Sequence, residues 1–291
     1  MVKKLINSKE NKTKDSKKEE LEDSKEGFTL DTYDSMEDFI FSIYMAGEGN
    51  EPQQKGLIEA LDIAIEGKII PLDTKMPPDI KGKKGSVFDC RLKTTCRKKI
   101  NIECQQSHTS DFEARLLVYG AKMITSSLGK GKNYNKTKNA IVIAICNFDF
   151  LKSPLYHNII TLNTKNHNTH EEFTDKIQIH IIEMTKFREL PIYKKAKKYL
   201  KNKNNKEPIE ISKGLQYLLF IDSETSHEEK KEIAKMGDEG LSTAIKRIEE
   251  ALQDEDAYDA FMTYRIEEMH QENIMEEKRK EKKGKKKGEL K

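Results

Sequence analysis

The sequence predicts a layered α/β domain followed by a helical C-terminal region, and three observations carry that reading. Val87 to Gln105 (VFDCRLKTTCRKKINIECQ) holds two alternating apolar and polar runs split by a cationic segment, the pattern of an antiparallel hairpin. NAIVIAICNF, residues 139–148, is almost continuously apolar, as a strand covered on both faces must be. Around these strands apolar residues recur at three- and four-residue spacing, so helices alternate with strands up to about residue 190.

The elements follow in order. Residues 1–28 mix Lys, Glu, Ser, Asn and Asp without periodicity and read as a disordered, charged N-terminus. DTYDSMEDFIFSIYMAG places Met36, Phe39, Ile40, Ile43 and Tyr44 at helical spacing, with Glu37 and Asp38 on the same short helix. After the acidic turn GEGNEP a second helix is expected from about Gln53 to Glu66, closed by Gly67. KIIPLDTKM starts as a strand made irregular by Pro71, and a Pro- and Gly-rich loop leads into the hairpin. Ser110 followed by Glu113 has capping-box spacing and opens a helix to about Leu128, with Phe112, Leu116, Leu117, Met123 and Ile124 inward. NIITLNT and KIQIHIIEM are further strands, joined by polar KNHNTHEEF. Beyond Pro191 the pieces are charged helices with modest apolar stripes. The expected domains are therefore 29–190, a helical region over 191–277 and a basic tail over 278–291.

Composition narrows the classes. Hydrophobic and charged residues each make up 35% of 291 residues, so much of the chain is solvated helix surface or disorder. No apolar run suits a membrane span and the N-terminus has no signal-type apolar segment, so a cytoplasmic protein without membrane contact is expected. Cys90, Cys96, Cys104 and Cys146 match no common zinc spacing and read as reduced thiols. Residues 278–291 carry nine Lys or Arg against two Glu, so the formal charge of +3 is concentrated in the tail. Such a tail adds sequence-independent affinity for nucleic acid or serves only solubility.

The hairpin carries the candidate chemistry. Strand alternation sets Phe88, Cys90, Leu92, Ile100, Ile102 and Cys104 on an apolar side and Asp89, Arg91, Asn101, Glu103 and Gln105 on the other. A turn centred near Cys96 makes facing residue numbers sum to 192, which puts Asp89 across from Glu103. Directly opposed like charges cost up to about 1 kcal/mol. A divalent cation with oxygen ligands removes that repulsion; the alternative is a solvated pair neutralised by Arg91 and neighbouring lysines.

INIECQ (Ile100 to Gln105), F-x-x-R (Phe112 to Arg115) with Tyr119 following, the buried strand, D-x-x-F at Asp38 to Phe41 and Glu183-Met184-Thr185-Lys186 where E-L-x-K is expected together resemble the PD-(D/E)XK nuclease family transposases. The resemblance covers roughly residues 30–190. It implies a restriction-endonuclease-like mixed sheet flanked by helices and a Mg²⁺-dependent DNA endonuclease, with Mn²⁺ as a substitute ion. Carried over by position, Asp89, Glu103 and the Cys104 carbonyl become metal ligands. Gln105 stands where relatives have Lys, and Asp38 (or Glu37) is the helical acid. Arg115 becomes a phosphate contact and Tyr119 a support for the metal face; the alternative for both is a local pair holding helix to sheet. Lys130, Lys132 and Lys136 are candidate DNA-backbone contacts, or a solvated loop. His157, His167, His170 and His180 fit no zinc pattern and are left as polar loop or strand-face residues. The rival reading is a catalytically degenerate DNA-binding protein on the same scaffold, favoured by the missing Lys at position 105. A homodimer is left open.

Overall fold

The computed structural model describes residues 33–76, 86–87, 89–128, 131, 133–164, 171–202, 209–254 and 259. The expectations for residues 1–28, Phe88, Lys130, Lys132, His167, His170 and the basic tail lie outside these residues. The chain divides into two compact units, Tyr33–Ile248 and Met1–Thr32 with Glu249–Lys291. Of the second, the described residues are 249–254 and 259, with Glu249–Gln253 helical.

The first unit is built on a mixed six-stranded sheet of order β1-β4-β5-β6-β8-β7. Its strands are β1 (Ile69–Pro71), β4 (Cys90–Thr94), β5 (Lys99–Gln105), β6 (Ala140–Cys146), β7 (His157–Asn163) and β8 (Glu172–Glu183), while β2 (Lys75–Met76) and β3 (Ser86–Val87) form a separate ladder. β4 and β5 are an antiparallel hairpin; β5, β6 and β8 run parallel; β7 returns antiparallel on the outer edge. Helices flank the sheet: α1 (Asp38–Met45), α2 (Glu51–Ala60), α3 (Phe112–Thr125), α4 (Met184–Arg188), α5 (Pro191–Lys201), α6 (Lys213–Ile221), α7 (His227–Ala234) and α8 (Glu239–Gln253). This arrangement is a restriction-endonuclease-like α/β fold.

The hairpin register is the expected one: Cys90 pairs with Ile102, Arg91 with Asn101, Leu92 with Ile100 and Lys93 with Lys99. β6 is buried along its whole length, as its unbroken apolar run requires. One face of the sheet takes α3, whose Phe112, Leu116, Tyr119 and Met123 pack on Ala140, Val142, Ala144, Cys146, Ile179 and Ile181. The small side chains at 140, 144 and 146 leave room for a helix, and Gly120 brings the backbones together: a methyl there would stand 3.1 Å from Ile177 Cγ2. On the other face the Cys90 thiol donates to the Met45 carbonyl at the end of α1, 3.1 Å away. All four cysteines are free thiols, and Cys96 alone is exposed.

Several expectations need correction. The alternative of a solvated polar side fails at its centre, where Asn101 is 0% and Glu103 2% exposed on the face that α3 covers, while Asp89, Arg91 and Gln105 stay partly exposed. The second helix stops at Ala60 rather than near Glu66. Asp62, at φ +55°, takes the left-handed position of a Schellman ending, with Asp62 N–H bonded to Glu59 O and Ile63 N–H to Ile58 O. The Ser110–Glu113 box does not form; α3 is capped at Asp111 without a side-chain bond. The link before it is held instead by His108, whose ring lies 5.3 Å from Phe148 and 5.7 Å from Phe150. Leu117 points outward, 51% exposed.

Candidate active site

Asp89, Glu103 and Gln105 come together at the end of the hairpin remote from its turn. Asp89 sits one residue before β4 and accepts a hydrogen bond from the Cys104 backbone N–H at 2.8 Å. Glu103 accepts from Asn101 Nδ2 at 2.7 Å, an i, i+2 contact that alternation along one strand makes available. Gln105 donates from Nε2 to the Cys104 carbonyl at 2.9 Å. Arg115, on the first turn of α3, donates from Nη2 to Gln105 Oε1. Helix and strand are thus tied together through the F-x-x-R arginine and the last residue of INIECQ.

The electrostatics are those of an under-neutralised acid pair. Burial pushes the Asp89 carboxyl up to about 7, helped by the negative charge of Asp38 and opposed by the Cys104 N–H and Arg115. Glu103 is pushed well above the ordinary carboxylate range by burial and by Asp89, with Asn101 and Arg115 opposing. Tyr119, one turn beyond Arg115, is raised by burial and by Glu103. Asp38 is exposed at the start of α1, and its charge reaches Asp89.

Sequence reasoning missed Asp34. Its Oδ1 accepts from Met36 N–H at 2.8 Å, an Asx turn ahead of α1, and its Oδ2 accepts from Gln106 Nε2 at 2.6 Å. Gln106 Oε1 in turn accepts from Asn147 Nδ2 at 2.9 Å, so the acid anchors the ends of β5 and β6. The signal available was an Asp two residues before an amide at a helix entrance.

Glu183 and Lys186 stand beside this edge. Glu183 ends β8 across from Cys146, is fully buried, and accepts from Phe150 N–H at 2.6 Å and Leu151 N–H at 3.0 Å. Lys186 Nζ bonds Glu183 Oε2 at 2.7 Å and the Leu151 carbonyl at 2.6 Å. The E-M-T-K pattern therefore clamps the loop after β6. His157 and His180 bond each other at 3.0 Å between β7 and β8, and burial together with His157 holds His180 down at about 4, a neutral cross-strand pair. Lys136 lies on an exposed 3₁₀ turn, Tyr134–Lys136.

The donor set fits a hard divalent cation. Asp89 and Glu103 would supply carboxylate oxygens and Cys104 a backbone carbonyl, which already accepts from Gln105 Nε2. Like-charge repulsion and burial leave the pair in need of positive charge that the Arg115 guanidinium only partly supplies. Among the described residues no group of three or more His, Cys, Asp or Glu side chains is placed to hold a metal, so water or a substrate oxygen must complete any coordination sphere around the pair.

Neither a search of curated proteins nor one of solved structures finds a match. The model of the PD-(D/E)XK nuclease family transposases matches residues 35–278, which spans the whole sheet, the acid pair and the helices after it, and the chain belongs to that family.

Proposed function

We propose that this chain is a metal-dependent DNA endonuclease that hydrolyses phosphodiester bonds, with Asp89 and Glu103 as its metal ligands. The observation that carries the reading is the acid pair at the end of the hairpin, Glu103 buried and Asp89 half-buried, whose carboxyls are raised by desolvation and by neighbouring acids. Mg²⁺ held there, or Mn²⁺ in its place, supplies Lewis-acid polarisation of the scissile phosphate and a lowered pKa for water.

The protein's own groups do the rest. The Cys104 N–H fixes one Asp89 oxygen and leaves the other for a cation. Asn101 orients Glu103 in the same way. Arg115 fixes the rotamer of Gln105, whose amide has a second N–H with which to orient a water, a positioning role without the charge that a Lys would bring. The Arg115 guanidinium also adds positive charge beside the position of the phosphate.

The test is cleavage of supercoiled plasmid by the full chain with Mg²⁺, Mn²⁺ or EDTA, with Glu103→Gln alongside. Metal-dependent nicking or linearisation that the variant loses is the expected result. The engagement of Gln105 by its own strand and by Arg115, with no Lys at that position, favours a second reading, a degenerate DNA-binding protein. DNA retardation without cleavage in any metal would establish that one instead.

A further inference from the structure

Accepting that the substrate is DNA, we propose that the cleft at the turn end of the β4–β5 hairpin is a duplex-binding site that holds the phosphate backbone away from the acid pair. The cleft has a volume of about 980 Å³ and is lined by Lys93, Arg97, Lys99, Lys136 and Lys138 together with serine and asparagine side chains. No carboxylate lines it. Among the described residues none of these five cations forms an ion pair with an acid, whereas Lys186, Lys194, Lys197, Lys213 and Arg188 all do. Five unneutralised cations around one concavity call for a polyanion.

Strand register connects this cleft to the acid pair. Arg91 pairs with Asn101 and Lys93 with Lys99, so both lie on the face that carries Glu103. Along β5, Lys99 is four residues from Glu103, about 13 Å at the rise of an extended strand. The carboxylates and the cations thus lie at opposite ends of one hairpin, with α3 over the strand between them, tied to Gln105 through Arg115 and to Lys99 through Ser126.

Local geometry fixes the Lys99 ammonium and the backbone that carries Arg97. Lys99 Nζ donates to Ser126 Oγ at 2.6 Å at the end of α3, and the half-buried ammonium faces Arg91 and Lys93. Arg97 occupies a left-handed backbone position at φ +67°, closed by its N–H to the Thr94 carbonyl at 2.8 Å. Glycine fills that turn position without strain. An arginine there accepts backbone strain and sets a guanidinium on the cleft lining.

The experiment is fluorescence anisotropy of a labelled 20-base-pair duplex with the full chain in EDTA, titrated at several salt concentrations. Lys99→Gln/Lys136→Gln/Lys138→Gln is compared with Lys194→Gln/Lys198→Gln/Lys201→Gln, which removes the same charge from α5. Each lost phosphate contact flattens the slope of log K against log salt by about 0.9, so the cleft triple variant should lose about 2.7 in slope and roughly 500-fold in affinity at 0.1 M salt. The exposed-loop pair Lys136→Gln/Lys138→Gln, which leaves the Lys99–Ser126 contact intact, should lose roughly 60-fold on the same basis. The α5 variant should bind within threefold of wild type. Equal losses in the two triple variants, wild-type binding by the cleft variants, or no duplex binding at all would each overturn the proposal. Because no metal is present, the outcome is separate from the nuclease reading: cleft-dependent binding by a protein that never cleaves would sustain the cleft and sink the enzyme.

Discussion

Asp89→Asn should make the metal-free protein more stable at pH 8 while abolishing cleavage. The Asp89 carboxyl is raised from an ordinary 3.8 to about 7 in the fold, mainly by burial, so the folded state resists its ionisation. A raised acid binds its proton more tightly folded than unfolded. Wild-type stability therefore declines as pH rises from about 4 to about 7, and the full penalty applies above 7. Three pK units at 1.36 kcal/mol each give about 4 kcal/mol. Asparagine keeps an oxygen for the Cys104 N–H but carries no charge, so it escapes that penalty. Urea unfolding in EDTA should show the variant about 4 kcal/mol more stable at pH 8, about 10 °C in Tm, and nearly equal to wild type at pH 4. Excess Mg²⁺ should raise the wild-type Tm at pH 8 and leave the variant unchanged. A variant less stable than wild type at pH 8, or a difference that persists unchanged at pH 4, would refute the under-neutralised pair.

Two further outcomes follow from the same geometry. Protons compete with metal for Asp89, so the Mg²⁺ concentration needed for half-maximal cleavage should rise at least tenfold per unit as pH falls below about 7 and level off above it; a requirement unchanged between pH 6 and 8 would contradict the assignment. Glu183→Ala strands the Phe150 and Leu151 amides and the Lys186 ammonium, and should cost about 3 to 5 kcal/mol by urea unfolding. Adding Lys186→Ala should then cost little more, since its partner is already gone; a loss under 1 kcal/mol for Glu183→Ala would show that the clamp is dispensable.

The sequence by itself determined the hairpin and its two faces, because a one-residue slip would take Cys90, Leu92, Ile100 and Ile102 off their common apolar face, and a turn placed near Cys96 gave the register that the strands adopt. It also determined the buried strand, since only a strand covered on both faces can carry AIVIAIC without a polar break. It brought forward Asp89, Glu103, Gln105 and Arg115 as candidates through the resemblance of their motifs to the family. Burial on the polar side was decided by tertiary structure: alternation separates two faces but does not say that α3 lies over Glu103, and that covering helix turns a surface pair into one with raised carboxyls. Helix ends were decided the same way, by the left-handed Asp62 and the His108 ring cluster rather than by Gly67 and Ser110. Asp34 and the cationic cleft needed long-range contacts that no window of sequence contains, because Asp34 meets Gln106 across 72 residues and Lys99 meets Ser126 across 27. Local pattern fixes which way a side chain faces; the fold alone fixes what it faces.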